Sequence, residues 1–254
     1  MATEQPKVTL YWLEKSRSQR ILMMLEELKV PYELKVFKRD ANNLADPALK
    51  DIHPLGKSPV LGVKAPGAEK EIVIAESANI VEYLAEHFGK GMIPKRWADG
   101  KEGQVGGETD GWLRYRYLMH YCEGSLMSLL VVGLVVSQIA NAPAPFFIRP
   151  ILRGIGSKVR GAFLDRNYEQ NWKFIEEQLA TTPEGGDFFC GKELTGADIM
   201  MLFPLEGATM MLDVKREQYP KMYAWIERMH ERESYKAAIK KVEDATGEKY
   251  EVIP

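Results

Sequence analysis

Residues Val8 to Phe37 read VTLYWLEKSRSQRILMMLEELKVPYELKVF, and their pattern decides the fold of the amino-terminal part. Val8 to Leu13 is a short apolar and aromatic run, the composition of a buried strand. From Ser16 the period changes. Ile21, Leu22, Leu25 and Leu28 recur at helical spacing and share one face. Val30-Pro31 ends that helix, because the residue before a proline avoids the helical region. Tyr32 to Phe37 alternates apolar and polar side chains and reads as a second strand. A strand, helix and strand in this order make a parallel pair with a right-handed crossover.

Further along, Pro47 to Ile52 reads as a short helix. Pro59 to Val63 and Glu71 to Ile74 read as short strands, with Pro66-Gly67 as the turn signal between them, so they form a hairpin. Glu76 to Phe88 is helical, with Ile80, Val81, Leu84 and Phe88 in register. Residues 1–90 are therefore expected to form a four-stranded mixed sheet with helices on its faces. Lys90 to Gly107, rich in glycine and charge, reads as a linker leading into a second domain over residues 91–254.

That second domain reads as all-helical, with no strand from Trp112 onward. Trp112, Tyr115, Met119, Cys122, Leu126, Leu129 and Gly133 step by three and four along one long helix. Tyr168, Trp172, Ile175 and Leu179 mark another. At Leu194-Thr195-Gly196-Ala197-Asp198-Ile199, Thr195 caps, Asp198 answers from the third position, and Leu194 staples onto Ile199. Ile199 to Leu205 is apolar on all sides and is expected to be buried. Tyr219 to His230 and Ser234 to Val242 read as two more helices. The expected fold class is α/β followed by all-α.

Composition narrows the function. The chain has 254 residues and a formal net charge of -2, which offers no general attraction to phosphate and argues against nucleic acid. Cys122 and Cys190 are the two cysteines, too few for a disulfide scaffold; both are expected to be buried thiols in a reducing compartment. The start, MATEQPKVTLYW, has no apolar signal core, so a cytoplasmic location is expected. His53, His87, His120 and His230 show no metal-ligand spacing, and no metal is expected. Gly56-Lys57-Ser58 lacks the earlier glycine of a phosphate loop, Asp51 standing there. Leu126 to Ala140, LMSLLVVGLVVSQIA, is shorter than the roughly 20 residues of a membrane span and is expected to be a buried helix segment. Contact with a membrane surface stays open, because Pro145 to Ile155, PFFIRPILRGI, adds apolar residues beside Arg149, Arg153 and Lys158.

Three loops of the first domain carry candidate chemistry. Ser16 stands at a strand-to-helix turn, where helix N–H groups and the helix dipole favour an anion. It reads either as a plain cap or as a donor to a bound anion or thiolate, with Arg17 adding positive potential. Ser58-Pro59 opens a strand; a cis bond there would turn the backbone of Ser58 outward, toward a peptide-like ligand. Ala75-Glu76-Ser77 is a second strand-to-helix junction. It reads either as a simple helix cap or as a ligand clamp, in which Glu76 would accept from an ammonium group and Ser77 with the helix start would bind a carboxylate.

These residues carry a resemblance over nearly the whole chain. YWLEKSRSQRILMMLEEL resembles the first strand and helix of the glutathione transferases. KDIHPLGKSPVL resembles their cis-proline loop, IVIAESANIVEYL their γ-glutamyl-binding segment and LTGADIMMLFPL their capped core helix. HPLGKSP, AES and YCEGSLM are most similar to the fungal, yeast-type members associated with the endoplasmic reticulum membrane. The resemblance implies a thioredoxin-like domain followed by a helical domain, in a homodimer that conjugates glutathione to hydrophobic electrophiles or reduces organic peroxides in detoxification.

It implies residue roles as well. Ser16, four places before Arg20, would stabilise the glutathione thiolate. Ser58 and Pro59 would clamp the cysteinyl backbone, Glu76 and Ser77 the γ-glutamyl end, and Lys57 the peptide backbone or glycyl end. Ser18, in the same loop, and Tyr11, near the strand end, are the alternatives to Ser16. Tyr11 lies nearer to Arg20 than in the tyrosine-type classes. No cysteine lies in the first domain, so a mixed disulfide there is excluded. Tyr117 and Tyr121, one helical turn apart, read either as lining the second-substrate site between the domains or as core or dimer-interface aromatics. The competing reading is a non-catalytic binding or scaffold protein that keeps the fold.

Overall fold

The computed structural model describes residues 5–253. The first domain runs β1 (Lys7–Leu13), α1 (Ser18–Glu27), β2 (Tyr32–Phe37), α2 (Leu49–Ile52), β3 (Val60–Lys64), β4 (Ile72–Ala75) and α3 (Ser77–Phe88). Its sheet has four strands in the order β2-β1-β3-β4. β1 pairs parallel with β2 across the α1 crossover and antiparallel with β3, and β3 pairs antiparallel with β4. This is the expected mixed sheet. Leu10 and Trp12 of β1 join Ile21, Leu22 and Leu25 of α1 in the core. The alternate β1 residue Tyr11 is buried outside that cluster, as the two-residue strand period requires.

The sequence reading opens the first helix at Ser16; the structure opens it at Ser18, with Arg17 as the N-cap and no side-chain cap bond. Ser16 is therefore not the N-cap residue, although its Oγ accepts from the backbone N–H of Ser18, the first residue of the helix, at 3.2 Å. Its hydroxyl donates to the Leu13 carbonyl at 2.7 Å.

The second domain is helical throughout: α4 (Asp110–Tyr121), a π-helical turn (Cys122–Met127), α5 (Ser128–Ala140), α6 (Arg149–Val159), a second π-helical turn (Arg160–Leu164), α7 (Asp165–Ala180), a single 3-10 turn (Pro183–Gly185), α8 (Gly196–Met211), α9 (Pro220–Glu231) and α10 (Glu233–Thr246). Residues 90–109 are an ordered connection. Their Arg96 guanidinium lies 4.4 Å from the Trp97 ring centre and 4.7 Å from that of Trp112. At α8, Asp198 accepts from the Thr195 backbone N–H at 2.9 Å and its hydroxyl at 2.8 Å. Ile199 to Leu205 is buried on every side.

Two expectations fail. The first concerns Leu126 to Ala140. Leu126, Met127 and Leu129 are buried, but Val131, Val132, Leu134, Val135 and Ile139 are 37–46% exposed. The second is a helix that the sequence reading left out, α6, which begins inside the PFFIRPILRGI stretch.

The two findings share a cause. The helix from Asp110 to Ala140 is 31 residues long, and by length and composition it is long enough and apolar enough to cross a membrane. Its first half docks on α8, while α5 packs mainly on α6 and the adjoining π-helical turns. Small residues bring the hairpin close. A side chain at Gly156 of α6 would meet the Cβ of Ala140 in α5 at 2.7 Å, and one at Gly133 of α5 would strike the Tyr168 hydroxyl of α7, which packs alongside. Each helix covers one flank of the other, and the outer apolar flank stays exposed.

Candidate functional site

The strand register brings the three candidate loops together. Tyr11 stands opposite Val60, and Val60 opposite Ala75. β1 and β4 therefore end where β3 begins. The loop after β1 holds Ser16, the residues before β3 are Ser58-Pro59, and those after β4 are Glu76-Ser77. All lie at one end of the sheet, where α1 and α3 also begin. Two helix starts at one place supply free N–H groups and positive dipole ends.

Ser16, Ser18 and Ser58 form a chain of hydroxyls. Ser58 Oγ donates to the Tyr11 carbonyl at 2.7 Å and meets Ser18 Oγ at 2.6 Å. Ser18 Oγ meets Ser16 Oγ at 2.8 Å. Ser58 commits its proton to Tyr11 and Ser16 commits its proton to Leu13. The single Ser18 proton thus serves one neighbour or the other. The backbone N–H of Ser18 also points at Ser16 Oγ, at 3.2 Å. The Ser58-Pro59 peptide is cis.

Glu76 has φ of +71°, a region uncommon for a residue other than glycine, and strained backbone of this kind clusters at ligand clamps. Its carboxylate side is exposed and Ser77 beside it is buried. Lys57 is exposed next to Ser58. The structure thus gathers Ser16, Ser18, Lys57, Ser58, Pro59, Glu76 and Ser77 at one end of the sheet.

Two further candidates stand apart. The Tyr11 hydroxyl donates to Glu71 Oε2 at 2.9 Å. Burial, the Glu71 hydrogen bond and its charge push the phenol up to about 12. Only the Tyr11 backbone carbonyl takes part in the serine chain. Arg17 is drawn across to the helical domain, where its Nη1 lies 2.8 Å from Glu123 Oε2.

Glu123 was missed in the sequence reading. It has one visible signal: it is the only acidic residue between Asp110 and Asp165. Its other oxygen accepts from Arg20 Nη2 at 2.5 Å. The Arg20 guanidinium is buried, with Nη1 donating to the Met200 carbonyl at 2.8 Å. Cys122 and Cys190 are both buried, as expected, and burial pushes the Cys122 thiol up to about 11.

Tyr117 and Tyr121 stack with ring centres 5.6 Å apart, and both pack on Phe174 of α7. With Arg116, His120 and Ser125 they line an open hollow of about 430 Å³. That flank of α4 faces α3, through Arg116 and Glu82 at 3.1 Å, and α7. Glu123, on the next turn, faces α1. Among the described residues no cluster of histidine, cysteine or carboxylate side chains is arranged to hold a metal.

Comparison with known proteins agrees with this architecture. The glutathione S-transferase N-terminal domain pattern matches residues 16–87 and the corresponding C-terminal domain pattern residues 165–233. Glutathione S-transferase 1 of Saccharomyces cerevisiae is 31% identical over 236 residues, covering 93% of this chain and 95% of that protein. The chain belongs to the glutathione S-transferase family. Glutathione S-transferase 3 of Schizosaccharomyces pombe is 32% identical, over 94% of this chain and 89% of that protein. Among solved structures, a glutathione S-transferase from Actinobacillus pleuropneumoniae superposes with a TM-score of 0.65 at 26% identity, covering 92% of each chain. Within this transferase fold, the shared sheet end is the thioredoxin-like domain's candidate ligand site, and α4 with its π-helical turn forms the opposite wall.

Proposed function

We propose that the chain is an active glutathione transferase of the serine type. One observation carries the reading: the three loops converge on one sheet end, and a chain of serine hydroxyls runs through them at the start of α1. Glutathione lies along this end, with its γ-glutamyl group at Glu76 and Ser77, its cysteinyl backbone at Ser58-Pro59 and its glycyl end toward Lys57.

A free thiol has a pKa of about 8.5, so little of it is ionised at neutral pH. Ser16 favours the thiolate by turning its O–H from the Leu13 carbonyl to the sulfur. Ser18 then donates to Ser16 Oγ, which polarises the donor further. The α1 N-terminus adds its dipole. The thiol proton leaves to solvent. The sulfur forms a C–S bond to an electrophilic carbon as the leaving group departs with its electron pair. With a peroxide the sulfur takes one oxygen and an alcohol leaves, and a second glutathione then gives the disulfide and water.

The hollow beside Tyr117 and Tyr121 is the proposed place for the hydrophobic substrate. The exposed apolar flank of α5 and α6 supports two extensions of the reading: a homodimer, and peripheral contact of a cytoplasmic protein with the endoplasmic reticulum membrane.

Turnover of glutathione with 1-chloro-2,4-dinitrobenzene and with cumene hydroperoxide tests the core reading. Ser16→Ala is expected to lower kcat by roughly 10- to 100-fold, the worth of one hydrogen bond to a charged group, with glutathione affinity little changed. Unchanged turnover in Ser16→Ala would remove Ser16 from the mechanism. A wild type that binds glutathione, seen as thermal stabilisation, yet turns over neither substrate would favour the binding-protein reading.

A further inference from the structure

Glu123 sits at the first residue pair of the π-helical turn that interrupts the 110–140 helix where it meets α1. Such turns inside α-helices gather at functional sites. Its two oxygens serve two different arginines: Oε1 takes Arg20 Nη2 and Oε2 takes Arg17 Nη1. The two arginines are unlike. The Arg20 side chain has no exposed surface and is also bonded to the Met200 carbonyl, so its charge is built into the fold. The Arg17 side chain is 37% exposed and directly follows Ser16 in the chain. Glu123 is the one carboxylate that Arg17 meets among the described residues.

We propose that Glu123 is a positioning residue that sets the positive potential at the Ser16 hydroxyl. It holds Arg17 against the helical domain and offsets its charge. This rests on the glutathione reading above. Arg17, Arg20 and Glu123 together carry one net positive charge; without Glu123 they carry two, and Arg17 is released next to the sulfur. One unit charge roughly 8 Å away, in a partly solvated cleft, moves a thiol pKa by roughly half a unit to one unit.

Lowering that pKa without limit does not help. A thiolate loses nucleophilicity as its pKa falls, and attack is fastest when the pKa is near the ambient pH. Glu123 tempers Arg17 so that the thiol stays in that range. The other groups facing this carboxylate are Arg20 from α1 and the Cys122 thiol beside it. The thiol, raised to about 11, stays protonated across the neutral range.

The experiment is a pH titration of glutathione bound to the full-length protein. It is followed by the ultraviolet absorption of the thiolate and by kcat at saturating glutathione. The proteins compared are wild type, Glu123→Gln, Arg17→Met and the double variant. Glu123→Gln is expected to move the apparent thiol pKa down by roughly half a unit to one unit, and Arg17→Met to move it up by a similar amount. The double variant is expected to return close to wild type. Arg17→Met keeps the Glu123–Arg20 bond, so it reports even where Glu123→Gln fails to fold. A lowered kcat with no pKa shift in Arg17→Met overturns the inference and leaves the contact a structural one. A wild type with no thiolate band for bound glutathione overturns the transferase reading and this inference together.

Discussion

Tyr11 and Ser16 lie five residues apart; the sequence favoured Ser16 for the thiol and kept Tyr11 as an alternative. Their surroundings separate them. The Tyr11 phenol is engaged by Glu71, which hydrogen bonds to it. The pKa near 12 comes first from burial and then from that carboxylate, the reverse of what an activating phenol needs. Ser16 instead ends a hydroxyl chain at a helix start. Tyr11→Phe is therefore expected to leave kcat with 1-chloro-2,4-dinitrobenzene within about twofold of wild type and to cost about 1 kcal/mol of stability, one hydrogen bond. A kcat loss as large as that of Ser16→Ala would transfer the thiol contact to Tyr11. The three serines were legible in the sequence as residues beside turns. Their linkage was not, because it depends on β3 lying antiparallel to β1. Arg17 was read as adding positive potential beside Ser16, and its partner Glu123 lies 106 residues further along the chain.

At the level of elements, α1 is held at both ends by contacts that no local pattern announces. Glu27, its last residue, accepts from Arg232 Nε at 3.0 Å and from Ser234 Oγ at 2.5 Å. A carboxylate at a helix C-terminus opposes the dipole, so it needs these partners. Burial alone would raise the Glu27 pKa. The hydrogen bonds from Arg232 and Ser234, with the Arg232 charge, outweigh it and lower the pKa below its ordinary value. A carboxyl lowered on folding contributes stability above its unfolded pKa of about 4.3 and loses it as the pH falls through the folded value. Glu27→Gln is expected to melt about 2–6 °C below wild type at neutral pH, from roughly 1–1.5 kcal/mol after solvent screening. The gap should close as the pH drops below about 4. A gap that stays constant down to acid pH would assign the effect to packing. The strands and helices of the first domain were legible to within two or three residues. Helix α6 was not, because Pro145 and Pro150 made its apolar residues look irregular.

For the whole molecule, two features bear on the proposed function. One is the seam where Arg20 of α1 enters the helical domain and bonds to Met200 and Glu123. It sets the second domain as a wall above the sheet end. The other is the hairpin of α5 and α6, with Phe146 81% exposed and Ile151 61% exposed. Apolar surface of this extent marks a partner or membrane face. Sedimentation is expected to give twice the chain mass of 28.9 kDa, and flotation is expected to carry wild type up with anionic vesicles. Phe146→Ser combined with Ile151→Ser should weaken flotation. A monomer at all concentrations would refute the dimer, and protein that stays below the vesicles would refute the lipid contact.

The sequence by itself determined the strand and helix order of the first domain, the helical character of the second, the capped start of α8 and the three loops that meet at the sheet end. These are local properties, written in period, turn residues and caps that act over a few residues. Only the tertiary structure decided that the Ser16 hydroxyl turns back to the Leu13 carbonyl, that Ser16, Ser18 and Ser58 share one proton chain, that Arg17 is held by Glu123, and that most of the apolar run after Leu129 faces outward. The last three depend on which distant segment packs alongside, and periodicity shows that a face is apolar without showing what covers it.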